Sequence, residues 1–273
     1  MMDRKTAAIN SRIHCHKGRC LSYVACFMTF YHNIITKVVI ISYFCTMEVQ
    51  EFKFNHRRVC LYKLEQGNVP LVYSIDYHEN GQLLLETSKQ MGCSGFNLVT
   101  ISGLHWNQEL SPWPVETVVS KNDRFTGGAP GLLPVIVEQV VPAVEKLLDE
   151  PPVWRCLAGY SMAGLFAVWA AHHTNLFTRI LSASGSMWYP GWLEFAQEHA
   201  PEVPLLGVYL SVGEQESTSR NAVLQTVGER TRALADMFAS RGMNVRFELN
   251  PGNHFKNPPL RVVKGIKWLL ENS

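Results

Sequence analysis

The sequence lacks any apolar stretch long enough to cross a lipid bilayer, which takes about 20 residues in one helix. The apolar run Val38–Cys45 is too short, and Cys45-Thr46 is a poor cleavage site for a secretory signal. Internal repeats and low-complexity tracts are also absent, and the net charge is only +2 over 273 residues. These absences argue against a membrane span, a repeat protein or a disordered chain. They favour a cytoplasmic location, with export as an alternative because basic residues precede Val38.

Cysteines paired at the spacings of a zinc site or a disulfide framework are missing too. His14-Cys15-His16 with Cys20 could form half of a metal site, but no second ligand pair follows at a suitable spacing. The later cysteines, Cys60, Cys93 and Cys156, are scattered, which suits a reducing compartment. We therefore expect neither a metal nor an organic cofactor.

The charges that are present divide unevenly along the chain. Residues 1–46 carry six lysines and arginines against one acid, whereas residues 47–273 carry 19 bases against 22 acids. A mildly acidic body lacks the basic surface that nucleic acid needs, so no nucleic-acid partner is expected. We predict that residues 1–46 are a basic, cysteine-containing extension outside the fold. Met47 would be a natural start, and residues 47–273 would form one domain.

After Met47 the sequence begins with a predicted hairpin and continues with alternating strands and helices. Val49–Phe54 and Val59–Leu64 alternate apolar with polar residues around a polar turn, which predicts an antiparallel pair. Near-continuous apolar runs then indicate strands of a mostly parallel sheet covered on both faces. These strands are predicted at Pro70–Asp76, Phe96–Ser102, Val153–Ala158, Arg179–Ala183, Leu205–Val212 and, as a half-exposed edge, Val245–Leu249. Helices are predicted at Gly81–Met91, Leu132–Leu148 (kinked or split at Pro142), Met162–His172, Ser219–Arg241 and Pro259–Leu270.

The stretch Gly159–Gly164, with the pattern G-x-S-x-A-G, is the most informative part of the chain. A predicted strand leads into it and a predicted helix follows, so Ser161 would lie on a sharp turn with its hydroxyl exposed. Glycine and alanine suit such a corner because larger side chains would clash with neighbouring strands. The alternative is a glycine-flanked serine in an ordinary turn, since short motifs also arise by chance.

A histidine follows the serine at the place where a general base is needed. His254 lies in the turn-rich loop Asn250–Phe255, directly after the last predicted strand, so its imidazole can reach Ser161. His172 and His173 lie on the helix that follows the serine and are expected at the protein surface instead. His254 is therefore the predicted base.

The acid that orients the base is expected after the strand Leu205–Val212. Glu214 and Glu216 both stand there, and strand alternation would place them on similar sides. Either carboxylate could fix the tautomer of His254 and stabilise its charged form. The residue pattern alone does not separate the two.

Two further features of the predicted site come from its loops. The amide of Met162, at a helix N-terminus, is predicted to stabilise an oxyanion together with the amide of Tyr77 or His78. The connection Gly103–Gly131 is long and irregular, and it leaves the carboxyl edge of the sheet, where ligands bind in α/β folds. We predict that this connection, including Trp106, contacts the substrate.

The body of the chain resembles the putative esterase family of α/β-hydrolases, which includes enterochelin esterases, S-formylglutathione hydrolases and mycolyltransferases. The resemblance covers most of residues 50–272 and rests on the segments Pro70–Asp76, Gly159–Gly164, Leu181–Tyr189, Val212–Glu216 and Pro251–Phe255. The S-G-S-x-W-Y stretch and Gly127-Gly128-Ala129 are similar to the enterochelin (siderophore) esterase-like branch.

This resemblance implies an α/β-hydrolase fold: a mostly parallel eight-stranded sheet with an N-terminal antiparallel hairpin and helices on both faces. It favours Glu216 as the acid, because that residue is the second glutamate of a G-E-x-E pattern. It also implies that Tyr160, Ser186 and Trp188 contact the substrate, as Trp106 is expected to do. For Trp188, a place in the hydrophobic core is an equal alternative.

The expected function is hydrolysis of a carboxylic ester through an acyl-enzyme. Ser161 would attack the ester, His254 would act as base and acid, and Glu216 would orient His254. The partner would be a small-molecule ester, with a siderophore ester as one candidate. The alternatives are an acyltransferase that uses the same residues and a non-catalytic binding protein with the same fold. No oligomeric state is predicted.

Overall fold

A computed structural model describes residues 6–12, 23–31, 34–44, 47–79, 81–116 and 124–272. The segment His14-Cys15-His16 with Cys20, which was considered as half of a metal site and set aside, lies outside these residues. The strands, numbered β1 to β13 in chain order, are Thr6–Arg12, Tyr23–Tyr31, Ile34–Phe44, Met47–Phe54, Arg57–Lys63, Leu71–Ile75, Asn97–Ser102, Pro114–Val115, Phe125–Thr126, Arg155–Tyr160, Arg179–Ala183, Gly207–Gly213 and Val245–Asn250.

The central part of the fold is a mixed sheet whose eight strands from β4 to β13 have the order β4-β5-β7-β6-β10-β11-β12-β13. Strand β5 runs antiparallel to both β4 and β7, whereas every pair from β7 to β13 is parallel. The predicted mostly parallel eight-stranded sheet with an antiparallel hairpin is therefore confirmed. Strand β13 pairs with β12 and forms the half-exposed edge that its alternating sequence predicted.

Three more strands, β1 to β3, continue the sheet antiparallel beyond β4. They lie within residues 1–46, the segment that the charge distribution set apart as an extension. Two statements about this boundary stay predictions: that Met47 is a natural start, and that residues 47–273 are the esterase domain.

The helices, numbered α1 to α9, are Gly81–Gln90, Trp106–Glu109, Ala129–Pro134, Val141–Glu145, Met162–Ala170, Trp192–Glu198, Ala222–Gln225, Val227–Ser240 and Pro258–Glu271. The predicted split near Pro142 takes the form of a π-helical segment, Val135–Val140, between α3 and α4. Proline has no amide to donate in the ordinary α-helical pattern, and the wider turn before Pro142 accommodates this. The single helix predicted over Ser219–Arg241 is in fact two, α7 and α8, and Asn221 caps the first by accepting from Val223 N at 2.9 Å.

Helices cover both faces of the sheet and bury two apolar clusters. In strand β6, Tyr73 belongs to the cluster under α5 and α8, and its neighbour Val72 belongs to the cluster under α1 and α9. The last helix packs closely because residue 265 is glycine: a Cβ there would lie 2.6 Å from Leu181 and Tyr209. Close packing of α9 matters because this helix also carries residues of the site.

The expectation that His172 lies at the surface is wrong. The chain turns after α5, so that this side chain is only 6% exposed, and its ring contacts Trp192, Phe195 and Phe238 from α6 and α8. Burial lowers the pKa of His172 to about 4, since a charged imidazolium is costly in such surroundings. The periodicity of α5 could not reveal this, because the covering helices come from distant parts of the sequence. His173, by contrast, is exposed as expected.

We expect this buried histidine to weaken the fold in mild acid. Below pH 6.5 the unfolded chain binds a proton at His172 that the native state does not bind until about pH 4. The free energy of unfolding should therefore fall by up to about 3 kcal/mol as the pH drops through this window. Urea unfolding at pH 7 and at pH 4.5 should show that the free energy of unfolding falls less in His172→Phe than in the wild type. The exposed His199→Gln serves as control, and an equal loss in all three proteins would contradict the burial argument.

Candidate active site

Ser161 occupies a tight corner between strand β10 and helix α5. Its backbone has φ 59° and ψ −123°, a strained conformation for a residue with a side chain. The corner requires glycine at position 159, where a Cβ would lie 2.2 Å from the backbone of Ala163. The predicted strand–turn–helix setting of Ser161 is therefore present, and the turn holds the hydroxyl at the carboxyl edge of the sheet.

The structure brings Ser161, His254 and Glu216 together in hydrogen-bonding order. His254 Nε2 lies 3.1 Å from Ser161 Oγ, and His254 Nδ1 lies 2.8 Å from Glu216 Oε2. These contacts fit the tautomer in which Nδ1 donates to the carboxylate and Nε2 accepts from the serine hydroxyl. The three residues come from the connections that follow β10, β12 and β13, and parallel strands place the starts of those connections at one edge of the sheet.

The sequence allowed either Glu214 or Glu216 to be the acid, and the course of the backbone after β12 distinguishes them. Glu214 is exposed, and its carboxylate accepts from Gly252 N at 3.4 Å. A turn and a short 3₁₀ segment follow, and they carry Glu216 inward, where it is only 9% exposed. Of the two, Glu216 is therefore the one in contact with His254.

Glu216 is ionised despite its burial. Burial alone would raise the pKa of this carboxyl, but a hydrogen bond from His254, the charge of that imidazole when protonated and the amide of Gly213 lower it more strongly. The Gly213 amide donates to Oε1 at 2.6 Å. The pKa of Glu216 consequently lies below its usual range, which keeps an acceptor available for His254 Nδ1.

Arg261 is a member of this site that the sequence analysis missed. It lies on helix α9, is 2% exposed, and donates from Nη1 to Glu216 Oε1 at 2.7 Å and to Ser184 Oγ at 2.6 Å. From Nη2 it donates to the carbonyl of Asn253 at 2.7 Å and to that of Pro251 at 3.2 Å. One guanidinium thus holds both the acid and the loop that carries the base. The sequence did contain a signal for Arg261: it is an arginine at one of the otherwise apolar positions on the buried face of an amphipathic helix.

Tyr160, predicted to contact the substrate, also supports the histidine loop. Its hydroxyl donates to the backbone carbonyl of His254, and Arg261 Nη1 approaches the same hydroxyl at 3.4 Å. Burial raises the pKa of Tyr160, so the phenol stays protonated and can donate. The ring of Tyr160 lines a cavity beside Ser161.

The predicted oxyanion donors are all close to the serine: Met162 follows it directly, and Tyr77 and His78 line a cavity that Ser161 also lines. Met162 is the first residue of α5, where a helix amide has no partner within the helix. On the facing loop, the amide of His78 donates to Asp76 Oδ1 at 3.2 Å. That bond leaves Tyr77 as the better placed of the two residues proposed for the second donor.

Two cavities meet at Ser161 and His254, with volumes of about 630 Å³ and 640 Å³. Trp106, from the long connection after β7, lines both, and Ser186 and Trp188 line the first. All four predicted substrate-contact residues therefore border the cleft. Trp188 also packs against the core, so this side chain borders both the cavity and the core. Its contact with a substrate stays a prediction.

Within the described residues, no group of three or more histidine, cysteine or acidic side chains is placed to hold a metal ion. None of the described helices is both long enough and apolar enough to span a bilayer. The site consists of protein groups suited to acyl transfer: a hydroxyl, an imidazole, a carboxylate and two helix or loop amides.

The strand order and the serine–histidine–carboxylate arrangement are those of an α/β-hydrolase. Residues 65–257 match the protein family described as Putative esterase, and the chain belongs to that family. The predicted family and the α/β-hydrolase fold are both confirmed.

Similar proteins extend over most of the chain at low identity. The uncharacterized protein YbbA of Bacillus subtilis (strain 168) is 23% identical over 238 residues, which cover 81% of this chain and 95% of YbbA. The siderophore hydrolase EstA from Aspergillus nidulans has a TM-score of 0.66 at 18% identity, covering 83% of this chain and 95% of EstA. An IroE-like serine hydrolase from Shewanella oneidensis has a TM-score of 0.67 at 18% identity, with 82% and 80% covered. At such identities the two solved structures establish the fold alone.

Proposed function

We propose that this chain is a serine carboxylic-ester hydrolase in which Ser161 is the nucleophile. The observation that carries the proposal is the continuous hydrogen-bond relay from Ser161 Oγ through His254 to Glu216, with separations of 3.1 Å and 2.8 Å. Membership of an esterase family supports it independently.

In the first half of the reaction, His254 takes the proton of Ser161 as the hydroxyl attacks the ester carbonyl. The amides of Met162 and Tyr77 stabilise the oxyanion of the tetrahedral intermediate, and Glu216 stabilises the imidazolium. The carbon–oxygen bond to the alcohol then breaks, and His254 gives its proton to the departing alkoxide. Ser161 is left as an acyl ester.

In the second half, water replaces the alcohol. His254 removes a proton from the water, the resulting hydroxide attacks the acyl-enzyme, and collapse of the intermediate returns the proton to Ser161 Oγ. The products are one carboxylic acid and one alcohol. Within this class, a siderophore ester is one candidate substrate, named by analogy with the described activity of structural neighbours such as EstA.

The products of p-nitrophenyl butyrate turnover test this function against the acyltransferase alternative. A hydrolase should release butyrate and p-nitrophenol in equal amounts, and added ethanol or glycerol should divert little of the acyl group. His254→Ala should lower the rate at least about 10³-fold, because the base is lost. Predominant formation of a new ester would favour an acyltransferase, and no release above the buffer rate would contradict the proposal.

A further inference from the structure

The geometry points to a substrate class for this site: uncharged esters with a bulky, largely apolar group on both the acyl and the alcohol side. This inference rests on the proposed ester hydrolysis and goes further by saying what the two halves of the ester are. It follows from the size, the charge and the rim of the cleft.

The first argument is that the cleft opens on both sides of the reacting atoms. One cavity of about 630 Å³ extends from Ser161 toward Trp188 and the helices α7 and α8, and the other, of about 640 Å³, extends toward helices α1 and α9. Each is in the range that accommodates a drug-sized ligand. An acetyl group or a short alkanol would fill only a small part of either, so a small ester would leave most of the available contact unused.

The second argument concerns the walls. Apart from Glu216 and His254, the first cavity is lined by apolar side chains and by neutral hydroxyls and amides; its apolar members include Phe125, Trp188, Leu224 and Val227. The second is bordered by an apolar group consisting of Tyr77, Leu83, Leu84, Pro258, Pro259 and Val262. Aromatic and branched walls of this kind favour rings and branched alkyl groups over extended polar chains.

The third argument is electrostatic. Among the described residues that line the two cavities there is no lysine or arginine, whereas each cavity has a carboxylate, Glu216 in the first and Asp76 in the second. The guanidinium of Arg261 faces Glu216 and the loop carbonyls. An anionic substituent would therefore find no lining cation to pair with, whereas an uncharged substituent needs none.

The rim of the second cavity fits the same class of substrate. Phe255 is 82% exposed, Tyr77 60% and Leu83 45%, and all three border this opening. Apolar side chains that are exposed to water at the entrance of a cleft lose that exposure when they cover an apolar ligand, and this stabilises the bound state. The exposed ring of Phe255 directly follows the predicted base, so a bulky substrate would contact it while bound at Ser161.

A set of four esters tests the inference while keeping the reactivity of the leaving group similar. They combine an acetyl or a 3-(2-naphthyl)propanoyl group with ethanol or 2-(2-naphthyl)ethanol. Each large group should raise kcat/KM by about tenfold or more, and the ester with both should be the best substrate. A carboxylate added to either naphthyl ring should remove that gain. Equal rates for the four esters, or faster hydrolysis of the carboxylated ones, would overturn the inference.

Two variants locate each half of the ester in its own cavity. Leu224→Trp narrows the first cavity and Leu83→Trp the second, and neither residue belongs to the catalytic group. One variant should lower kcat/KM at least fivefold only for esters with the large acyl group, and the other only for those with the large alcohol. Leu206→Trp, at an exposed position before β12, is the matched control and should change nothing. If both variants lower kcat/KM only for esters with the large acyl group, or both only for esters with the large alcohol, the two halves of the ester do not bind in separate cavities and the inference is overturned.

The outcomes also separate this inference from the proposed function. Hydrolysis that depends on Ser161 but is indifferent to the size of the ester would overturn the inference and leave the esterase proposal intact. Absence of any Ser161-dependent hydrolysis across the four esters and p-nitrophenyl butyrate would contradict the esterase proposal itself.

Discussion

Ser161→Ala is expected to lower kcat/KM for p-nitrophenyl butyrate by about 10³- to 10⁶-fold while leaving the fold intact. Removing Oγ removes the atom that forms the acyl-enzyme, and the remaining groups can then do no more than polarise the ester for direct attack by water. Alanine keeps the Cβ that this turn already accommodates, and the change deletes a single, partly exposed oxygen, so the thermal midpoint should move by only a few degrees.

Kinetics and circular dichroism together check this prediction. Ser240→Ala is the matched control, because Ser240 is exposed at the end of α8 and lines neither cavity. It should keep at least half of the wild-type kcat/KM. A Ser161→Ala protein that retains a tenth or more of the activity would refute the assignment of the nucleophile.

Arg261→Met is expected to lower kcat by about 10- to 100-fold with little change in KM. Without the guanidinium, Glu216 Oε1 keeps the amide of Gly213 but loses its charged partner, and the carbonyls of Pro251 and Asn253 lose their donor. The imidazole would then be held less firmly against Ser161, and a displacement of about 1 Å in a catalytic group can cost about 100-fold. Substrate contacts in the two cavities are untouched, so KM should stay within about twofold.

The pH profile of kcat/KM in Arg261→Met distinguishes a role of Arg261 in positioning His254 from a role in stability alone. Removing a cation beside the Glu216–His254 pair should move the acid limb of kcat/KM to higher pH, whereas loss of stability alone would not shift it. Arg261→Lys keeps the charge and should restore part of kcat.

A second buried arginine provides the structural control. Arg179 is 6% exposed and packs over Trp154, 4.4 Å from the ring centre, at the start of β11. Arg179→Met should lower the thermal midpoint and leave kcat unchanged. If Arg261→Met behaves in the same way, with an unshifted acid limb, Arg261 has no positioning role. Because a buried partner is removed, a stability loss of about 3–5 kcal/mol is expected in Arg261→Met and is measured alongside.

The sequence could predict the parts of the site that depend on local motifs and strand order. Ser161 sits in a pattern tied to one kind of turn, and His254 follows the last strand, so both positions were predictable once the sheet was. The elements around them were also predictable, because apolar periodicity identifies strands and helices of this length.

What could not be predicted depends on how the chain turns between elements. Glu214 and Glu216 are two residues apart, and only the turn and the 3₁₀ segment after β12 decide which reaches His254. Arg261 and His172 are buried by elements that are distant in sequence, and no local pattern encodes that covering. The buried polar residues of this chain are therefore the positions that the structure reveals and the sequence does not.

The most direct test of the central claim is covalent labelling of the folded protein with a fluorophosphonate, which reacts with an activated serine. Peptide mass spectrometry should find one adduct, on Ser161, and the label should be absent from Ser161→Ala and strongly reduced in His254→Ala. A folded wild-type protein that remains unlabelled, or that carries the label on another residue, would contradict the claim that Ser161 is an activated nucleophile.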